Sequence, residues 1–132
     1  MIIGEENTGK NFAALQFAKA LNCLEPQDNY DSCDRCENCR LIEKVIRDMD
    51  FKEEQKVIHP DILYINTEKA HIGIDLIREG LRSMNAFGRV KLKKKIIVVN
   101  DAEKMEKYGA NSILKELEEP AQDLIIILIV NN

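Results

Sequence analysis

The sequence predicts an α/β domain in which helices cover both faces of a parallel sheet, a three-layer arrangement. Three observations support this prediction. Short apolar runs alternate along the chain with segments of helical periodicity. The runs at 62–65 and 96–99 are apolar at every position, which is typical of strands buried on both faces. A glycine-containing loop separates the first apolar run from the first helical segment.

Each element is predicted from its own pattern, helices where apolar residues recur every three or four positions and strands where they are continuous. In the first helix the recurring residues are Phe12, Leu15, Ala18 and Leu21. From one end to the other, the predicted elements are strand 1–3, helix 11–21, helix 41–49, strand 62–65, helix 74–88, strand 96–99, helix 106–118 and strand 124–130. The stretch 50–56 is charged and belongs to no predicted element.

Composition limits the class of protein. The 132 residues are 45% apolar and 32% charged, with a formal net charge of −4. A chain of this size can bury one core, so a single domain over residues 1–132 is predicted. The longest apolar run, 124–130, is too short to span a bilayer, so we expect no membrane contact and a cytoplasmic location. Mild acidity excludes a histone-like DNA binder. The abrupt first and last strands predict a fragment of a longer protein.

All four cysteines lie in one short window, as Cys23, Cys33, Cys36 and Cys39. In a reducing compartment this clustering favours a metal site over disulfides, and four thiolates leave no open coordination position. We therefore predict a structural zinc ion in a small module, 23–39, inserted in the domain. An iron–sulfur cluster and free thiols are the alternatives. No catalytic thiol is expected, because no nucleophile signature surrounds any cysteine.

The segment from Gly4 to Lys10 fits the phosphate-loop pattern G-x-x-x-x-G-K between a strand and a helix. Gly4, Thr8 and Gly9 belong to the loop, and Lys10 is placed to reach terminal phosphates. The next residue is Asn11, where a magnesium-binding Ser or Thr is expected. Two interpretations stay open: a loop that holds ATP with Mg²⁺, or a retained turn with no bound nucleotide.

Asn100 and Asp101 follow the strand at 96–99, where a hydrolysing ATPase carries an acidic pair. Asn100 cannot supply negative charge. Since Asn11 also departs from the pattern, two parts of the magnesium and hydrolysis machinery are altered together. The sequence therefore predicts a degenerate nucleotide site and no catalytic residues for efficient ATP hydrolysis.

Several segments resemble, in the same order, the clamp-loader AAA+ subunits of bacterial DNA polymerase III. The similar segments are FAKALNC at 17–23, CDRCENC at 33–39, HPD at 59–61, IRE at 77–79 and ANSILKELEEP at 110–120. The resemblance implies a P-loop NTPase fold of the AAA+ type with an inserted zinc module. It also implies a longer second helix, because the segment between Cys39 and His59 is longer than the family usually has.

The resemblance further implies a subunit that helps to open the sliding clamp and place it on primed DNA, beside gamma/tau and delta subunits. It makes the chain a component of the DNA polymerase III holoenzyme. The gamma/tau branch keeps a Thr after the loop lysine and an acidic pair after the third strand. Asn11 and Asn100 depart from both and favour the delta prime branch, a scaffold rather than a motor. An active ATPase like gamma/tau and a zinc-stabilised P-loop module unrelated to replication are the alternatives.

Overall fold

The computed structural model of the protein describes residues 1–49, 55–67, 69–86, 91–118 and 123–132. These ranges contain all eight predicted strands and helices, and one further strand. The elements are β1 (Ile2–Gly4), α1 (Lys10–Asn22), α2 (Glu37–Asp48), β2 (Gln55–His59), β3 (Ile62–Asn66), α3 (Ile74–Ala86), β4 (Lys95–Val99), α4 (Lys107–Glu118) and β5 (Leu124–Asn131). The predicted ends of the third helix, at 87–88, and of the ANSILKELEEP segment, at 119–120, lie outside the described residues.

The strands form one sheet in the order β1-β5-β4-β3-β2. The first four run parallel to one another, with β3 and β4 paired from Ile62 opposite Ile96 to Ile65 opposite Val99. The predicted parallel sheet is therefore confirmed for these strands. Because parallel strands end at the same edge, the polar residues that follow β1, β3, β4 and β5 are brought together there.

The fifth strand, β2, differs from the prediction. It lies at the sheet edge and pairs antiparallel with β3 through a short turn at Pro60. Helix α2 ends at Asp48 and Met49 has extended backbone, so among the described residues the long segment before His59 does not prolong α2. Part of the segment between the cysteines and β3 forms β2 instead. Strand β2 begins with Gln55 and Lys56, inside the charged stretch 50–56, so it has no apolar run that would predict a strand.

Helices cover both faces of the sheet, which confirms the predicted three layers. Alternate residues of β3 and β4 point to opposite faces, as the two-residue period of a strand requires. Tyr64 and Val98 pack against α1 and α2 on one face. Leu63 and Ile97 pack against α3 and α4 on the other. All five residues of β3 and of β4 are buried, which explains the continuous apolar runs at 62–65 and 96–99.

The predicted apolar face of helix α1 is only partly buried. Its core residues are Ala14, Leu15 and Ala18, whereas Phe12 is 54% exposed and Leu21 is 36% exposed. The helix carries its own alanines, leucines and phenylalanines on nearly all sides, so the spacing of its apolar residues does not define which face is buried. Among the described residues, no helix is long and apolar enough to cross a membrane.

Candidate functional site

An open cleft of about 430 Å³ lies at the carboxyl edge of the parallel strands. The loop after β1, the start of α1, the residues that follow β4 and the last residue of β5 form its walls. The lining residues are Glu6, Asn7, Thr8, Gly9, Lys10, Asn11, Phe12, Asn100, Asp101 and Asn131. The structure thus brings the two sets of predicted nucleotide-site residues into one cleft. Gly4 lies just below it, at the end of β1.

The loop between β1 and α1 has a tight, internally bonded shape. The Thr8 hydroxyl donates to the Glu5 carbonyl at 2.8 Å. Asn7 and Gly9 have positive φ angles, 59° and 81°, and Gly9 precedes the first turn of α1. Glycine takes this left-handed conformation without steric cost, which explains why the loop has one at this point. The loop therefore directs the amino end of α1 toward the cleft.

Lys10 does not extend into open space. Its ammonium donates to the carbonyl of Gly4 at 3.0 Å and also to the carbonyl of Glu5. The residue is only 8% exposed. In this structure the cation predicted to reach phosphates is thus bonded to the carbonyls of its own loop.

Asn11 is also engaged. Its side-chain oxygen accepts a hydrogen bond of 2.8 Å from the hydroxyl of Tyr64, which comes from β3. Burial raises the pKa of Tyr64, and the negative charge of Asp101 raises it further, so this hydroxyl stays protonated and remains a donor. The Asn11 oxygen that would face a magnesium ion therefore already has a protein partner.

The residues after β4 form a second bonded group. The Asn100 amide donates to Asn66 at 3.1 Å. Asp101, in the left-handed conformation with φ 50°, pairs with Lys104 at 2.8 Å and accepts a hydrogen bond from Asn131. The hydrogen bond from Lys104 to Asp101 raises the pKa of Lys104, which keeps that ammonium charged. The Asp101 carboxylate thus already has a cationic partner, Lys104, and an amide donor, Asn131.

Sequence reasoning did not identify four residues of this network: Tyr64, Asn66, Lys104 and Asn131. Two of them had a usable signal. Asn66 and Asn131 are polar residues at the carboxyl ends of apolar strands, as Asn100 is. Tyr64 had none, because an aromatic residue inside a buried strand normally indicates core packing alone.

The four cysteines meet at the far end of α1. Their sulfur atoms all lie within 4.8 Å of one another, so this group can hold a metal ion. Cys23 follows α1 directly, Cys33 lies in the connecting loop, Cys36 caps α2 and Cys39 lies in its first turn. The four sulfurs are therefore supplied by the end of α1, the turn that contains Cys33, and the start of α2.

Backbone amides point at these sulfur atoms, as they do around thiolate ligands of metals. The N–H groups of Arg35 and Cys36 donate to Cys33 Sγ at 3.4 and 3.3 Å. Those of Leu24 and Cys39 donate to Cys36 Sγ, each at 3.4 Å. The amide bonds from Arg35 and Cys36 lower the pKa of Cys33. Such donors stabilise negative sulfur.

The pKa values of Cys36 and Cys39 are shifted in opposite directions. Burial opposes ionisation of Cys36, but the amides and neighbouring thiols outweigh it and lower its pKa to about 6. Burial raises the pKa of Cys39 to about 12. A zinc–sulfur distance of about 2.3 Å in a tetrahedron places sulfur atoms about 3.8 Å apart. The 4.0 Å separation between Cys33 Sγ and Cys39 Sγ fits this geometry closely.

Polar contacts fasten the cysteine module to the domain. Asn22, fully buried, accepts from the Lys94 amide at 2.8 Å through its side chain. Its backbone carbonyl accepts from the Asn38 side chain at 2.9 Å. The ammonium of Lys93 donates to the Cys23 carbonyl at 2.6 Å. The module is therefore bonded both to α2 and to the segment that leads into β4.

A buried cation also joins the module to the helices. The Lys19 side chain is 6% exposed and pairs with Asp34 at 2.7 Å and with Glu43 at 3.1 Å. Burial by itself lowers the pKa of Lys19, but the bonds to Asp34 and Glu43 outweigh it and raise the pKa. The contact with Lys19 lowers the pKa of Asp34. Both partners are thus charged at neutral pH.

Comparison with known proteins adds to this geometry. Residues 1–132 match the family described as DNA polymerase III, delta subunit. The chain is 31% identical to DNA polymerase III subunit delta' of Bacillus subtilis, over 96% of this chain and 34% of that protein. It is 31% identical to the delta' subunit of Escherichia coli, over 85% of this chain and 30% of that protein. It thus spans about a third of these relatives.

Relatives from another branch match as well. The chain is 32% identical to DNA polymerase III subunit gamma/tau of Mycoplasma pneumoniae, over 95% of this chain and 16% of that protein. Among solved structures, a DNA polymerase III gamma subunit-related protein of Thermotoga maritima superposes with a TM-score of 0.60. The alignment covers 98% of this chain and 34% of that one, at 23% identity, which establishes a shared fold.

Proposed function

Since this chain belongs to the DNA polymerase III delta subunit family, we propose that it forms the ATPase-shaped domain of a clamp-loader subunit of the delta prime type. In this proposal the domain helps to load the sliding clamp onto primed DNA during replication. It acts as a scaffold in the complex, beside subunits that hydrolyse ATP. Its place is the DNA polymerase III holoenzyme in the cytoplasm, where the complex as a whole carries out nucleotidyl transfer.

One observation carries the scaffold role: the positions that would serve magnesium and water are amides with other partners. Asn11 accepts from the Tyr64 hydroxyl, and Asn100 donates to Asn66. A hydrolysing site needs negative charge near the metal ion and a base or polar group that orients water. Asp101 follows Asn100 directly in the sequence, and its carboxylate pairs with Lys104 at 2.8 Å. These contacts support a degenerate site that turns over ATP slowly or not at all.

The cleft still has the form of a phosphate site, so binding of ATP is separable from its hydrolysis. Residues 6–9 of the loop and the amino end of α1 line the open cleft. A nucleotide that entered would have to take Lys10 from the carbonyls of Gly4 and Glu5. That exchange costs binding free energy, so we expect weak affinity for Mg-ATP.

The cysteine module takes a structural zinc ion in this proposal. Four thiolates complete a tetrahedral shell, which leaves no position for substrate. The ion would be held by Cys23, Cys33, Cys36 and Cys39, and it would fix the end of α1 against the start of α2. The sulfur spacing and the amide donors around Cys33 and Cys36 support zinc over free thiols.

An active ATPase of the gamma/tau type is the second candidate. The similarity to gamma/tau of Mycoplasma pneumoniae and the retained loop lysine favour it. The two candidates differ in one measurable property, because a motor needs its own loop lysine for clamp loading and a scaffold does not.

A reconstituted clamp loader tests the proposal. The full-length protein is assembled with gamma/tau and delta subunits, and loading of the clamp onto primed DNA is measured with wild type and with Lys10→Ala in this chain. Substitution of the loop lysine in gamma/tau is the matched control. We expect loading to survive Lys10→Ala and to fail in the control. Loss of loading with Lys10→Ala in an intact complex would favour the motor, and failure to assemble would contradict the clamp-loader assignment.

A further inference from the structure

Lys19 contacts Asp34 inside the cysteine module and Glu43 just beyond it on α2, although Lys19 itself lies outside the module. It lies on α1 four residues before Cys23. Its ammonium bonds to Asp34, in the turn between Cys33 and Cys36, at 2.7 Å. It also bonds to Glu43, on α2 four residues after Cys39, at 3.1 Å. One buried cation therefore joins the three segments that supply the four thiols.

The bond to Asp34 acts on the sulfur of Cys33. Asp34 has a positive φ of 57°, a left-handed conformation that is uncommon for residues other than glycine. This turn is what aims the amides of Arg35 and Cys36 at Cys33 Sγ. The Ser32 hydroxyl and the Lys19 ammonium both contact Oδ1 of Asp34, at 2.9 and 2.7 Å. The knuckle is thus fixed from outside by the rigid helix α1.

The bond to Glu43 acts on the position of Cys39. Glu43 lies one helical turn after Cys39 on α2, so a contact that fixes Glu43 against α1 also fixes Cys39. Lys19, Asp34, Cys39 and Glu43 line one groove between the two helices.

We propose that Lys19 is a positioning residue of the metal centre, which raises its zinc affinity by holding the Asp34 knuckle and the Glu43 helix in the ligating arrangement. This inference rests on the zinc centre proposed above. Groups that orient metal ligands change metal affinity by about 10- to 100-fold when they are substituted.

The test is zinc affinity of the protein, measured by competition with a chromophoric chelator. Lys19→Met keeps the length of the side chain and removes its charge, and we expect a zinc dissociation constant about 10- to 100-fold higher. Lys19→Arg keeps the charge and should restore most of the affinity. Lys44→Met, an exposed lysine on α2, is the matched control and should leave affinity unchanged.

A second variant keeps the proposal testable if Lys19→Met folds poorly. Asp34 is exposed, with 66% of its side chain accessible, and Asp34→Asn keeps a residue that tolerates the left-handed turn. We expect it to weaken zinc binding, and to add little further loss when combined with Lys19→Met, because both changes break one contact.

The outcomes separate the two proposals. If wild type takes up zinc and neither Lys19→Met nor Asp34→Asn weakens the binding, Lys19 has no role at the metal centre. A merely structural lysine would lower the melting temperature of metal-free and metal-loaded protein equally and leave affinity unchanged. If wild type takes up no zinc at all, the zinc centre itself is refuted, and the role of Lys19 with it.

Discussion

Substitutions of Cys36 can separate the stability that comes from metal binding from the stability that comes from capping helix α2, because the Cys36 sulfur has both roles. It is one of the four proposed ligands, and it caps α2 by accepting from the Cys39 amide at 3.4 Å. Cys36→Ala removes both functions. Cys36→Ser keeps an oxygen that can cap the helix, but it removes the thiolate that zinc prefers.

The sizes of the two effects differ enough to be resolved. At a free zinc concentration about 1,000 times the dissociation constant, binding stabilises the folded state by about 4 kcal/mol. Loss of an N-cap costs about 1 kcal/mol. Cys36→Ala should therefore lose about 5 kcal/mol and Cys36→Ser about 4 kcal/mol. For a domain of this size such losses lower the melting temperature by roughly 10–20 °C.

Thermal unfolding in zinc-buffered solution and in excess chelator measures both terms. In chelator the wild type should lose most of its advantage over Cys36→Ser, while the Cys36→Ala deficit of about 1 kcal/mol should remain. Bound zinc is counted in parallel by atomic absorption. The reasoning would be refuted if Cys36→Ala kept one equivalent of zinc with wild-type affinity, or if chelator left the wild-type melting temperature unchanged.

Two further substitutions test the cleft and the core. Asn11→Thr alone should not create an ATPase, since Asn100 still stands where an acid is required; phosphate release well above the wild-type rate would contradict this. Gly80→Ala should lower stability by about 1 kcal/mol in thermal unfolding, because an overpacked core typically costs about 1–3 kcal/mol and a better helix former returns up to about 1 kcal/mol. The added Cβ would lie 2.9 Å from both δ carbons of buried Leu63. Gly73→Ala, where a Cβ meets nothing within 4 Å, is the control and should melt like wild type.

The layers and most of the sheet could be predicted because each strand carries its own signal. Continuous apolar runs at 62–65 and 96–99 indicate burial on both faces, and β3 and β4 are fully buried. The edge strand β2, with the sequence QKVIH, has no continuous apolar run. It is a strand because it pairs with β3, and this pairing cannot be read from its own residues. For α1 the prediction held for Leu15 and Ala18 but not for Phe12 and Leu21, which are as apolar as the residues that line the core.

The cysteine cluster was predictable because its ligands are close in sequence, and the structure brings all four sulfurs together. The ion pair between Lys19 and Glu43 was not predictable, because the whole module separates the two residues in sequence and only the fold brings them together. The same holds in the cleft. The substitutions at Asn11 and Asn100 are visible in the sequence, but their partners Tyr64 and Asn66 come from β3 and appear only once the strand order is known.

The most direct test of the degenerate site is ATP turnover by the full-length protein, followed as phosphate release in saturating Mg-ATP with Lys10→Ala as the background. The contacts of Asn11, Asn100 and Asp101 predict a rate indistinguishable from that of Lys10→Ala. Turnover that is clearly above this background and abolished by Lys10→Ala would contradict the scaffold assignment and make this chain a motor subunit.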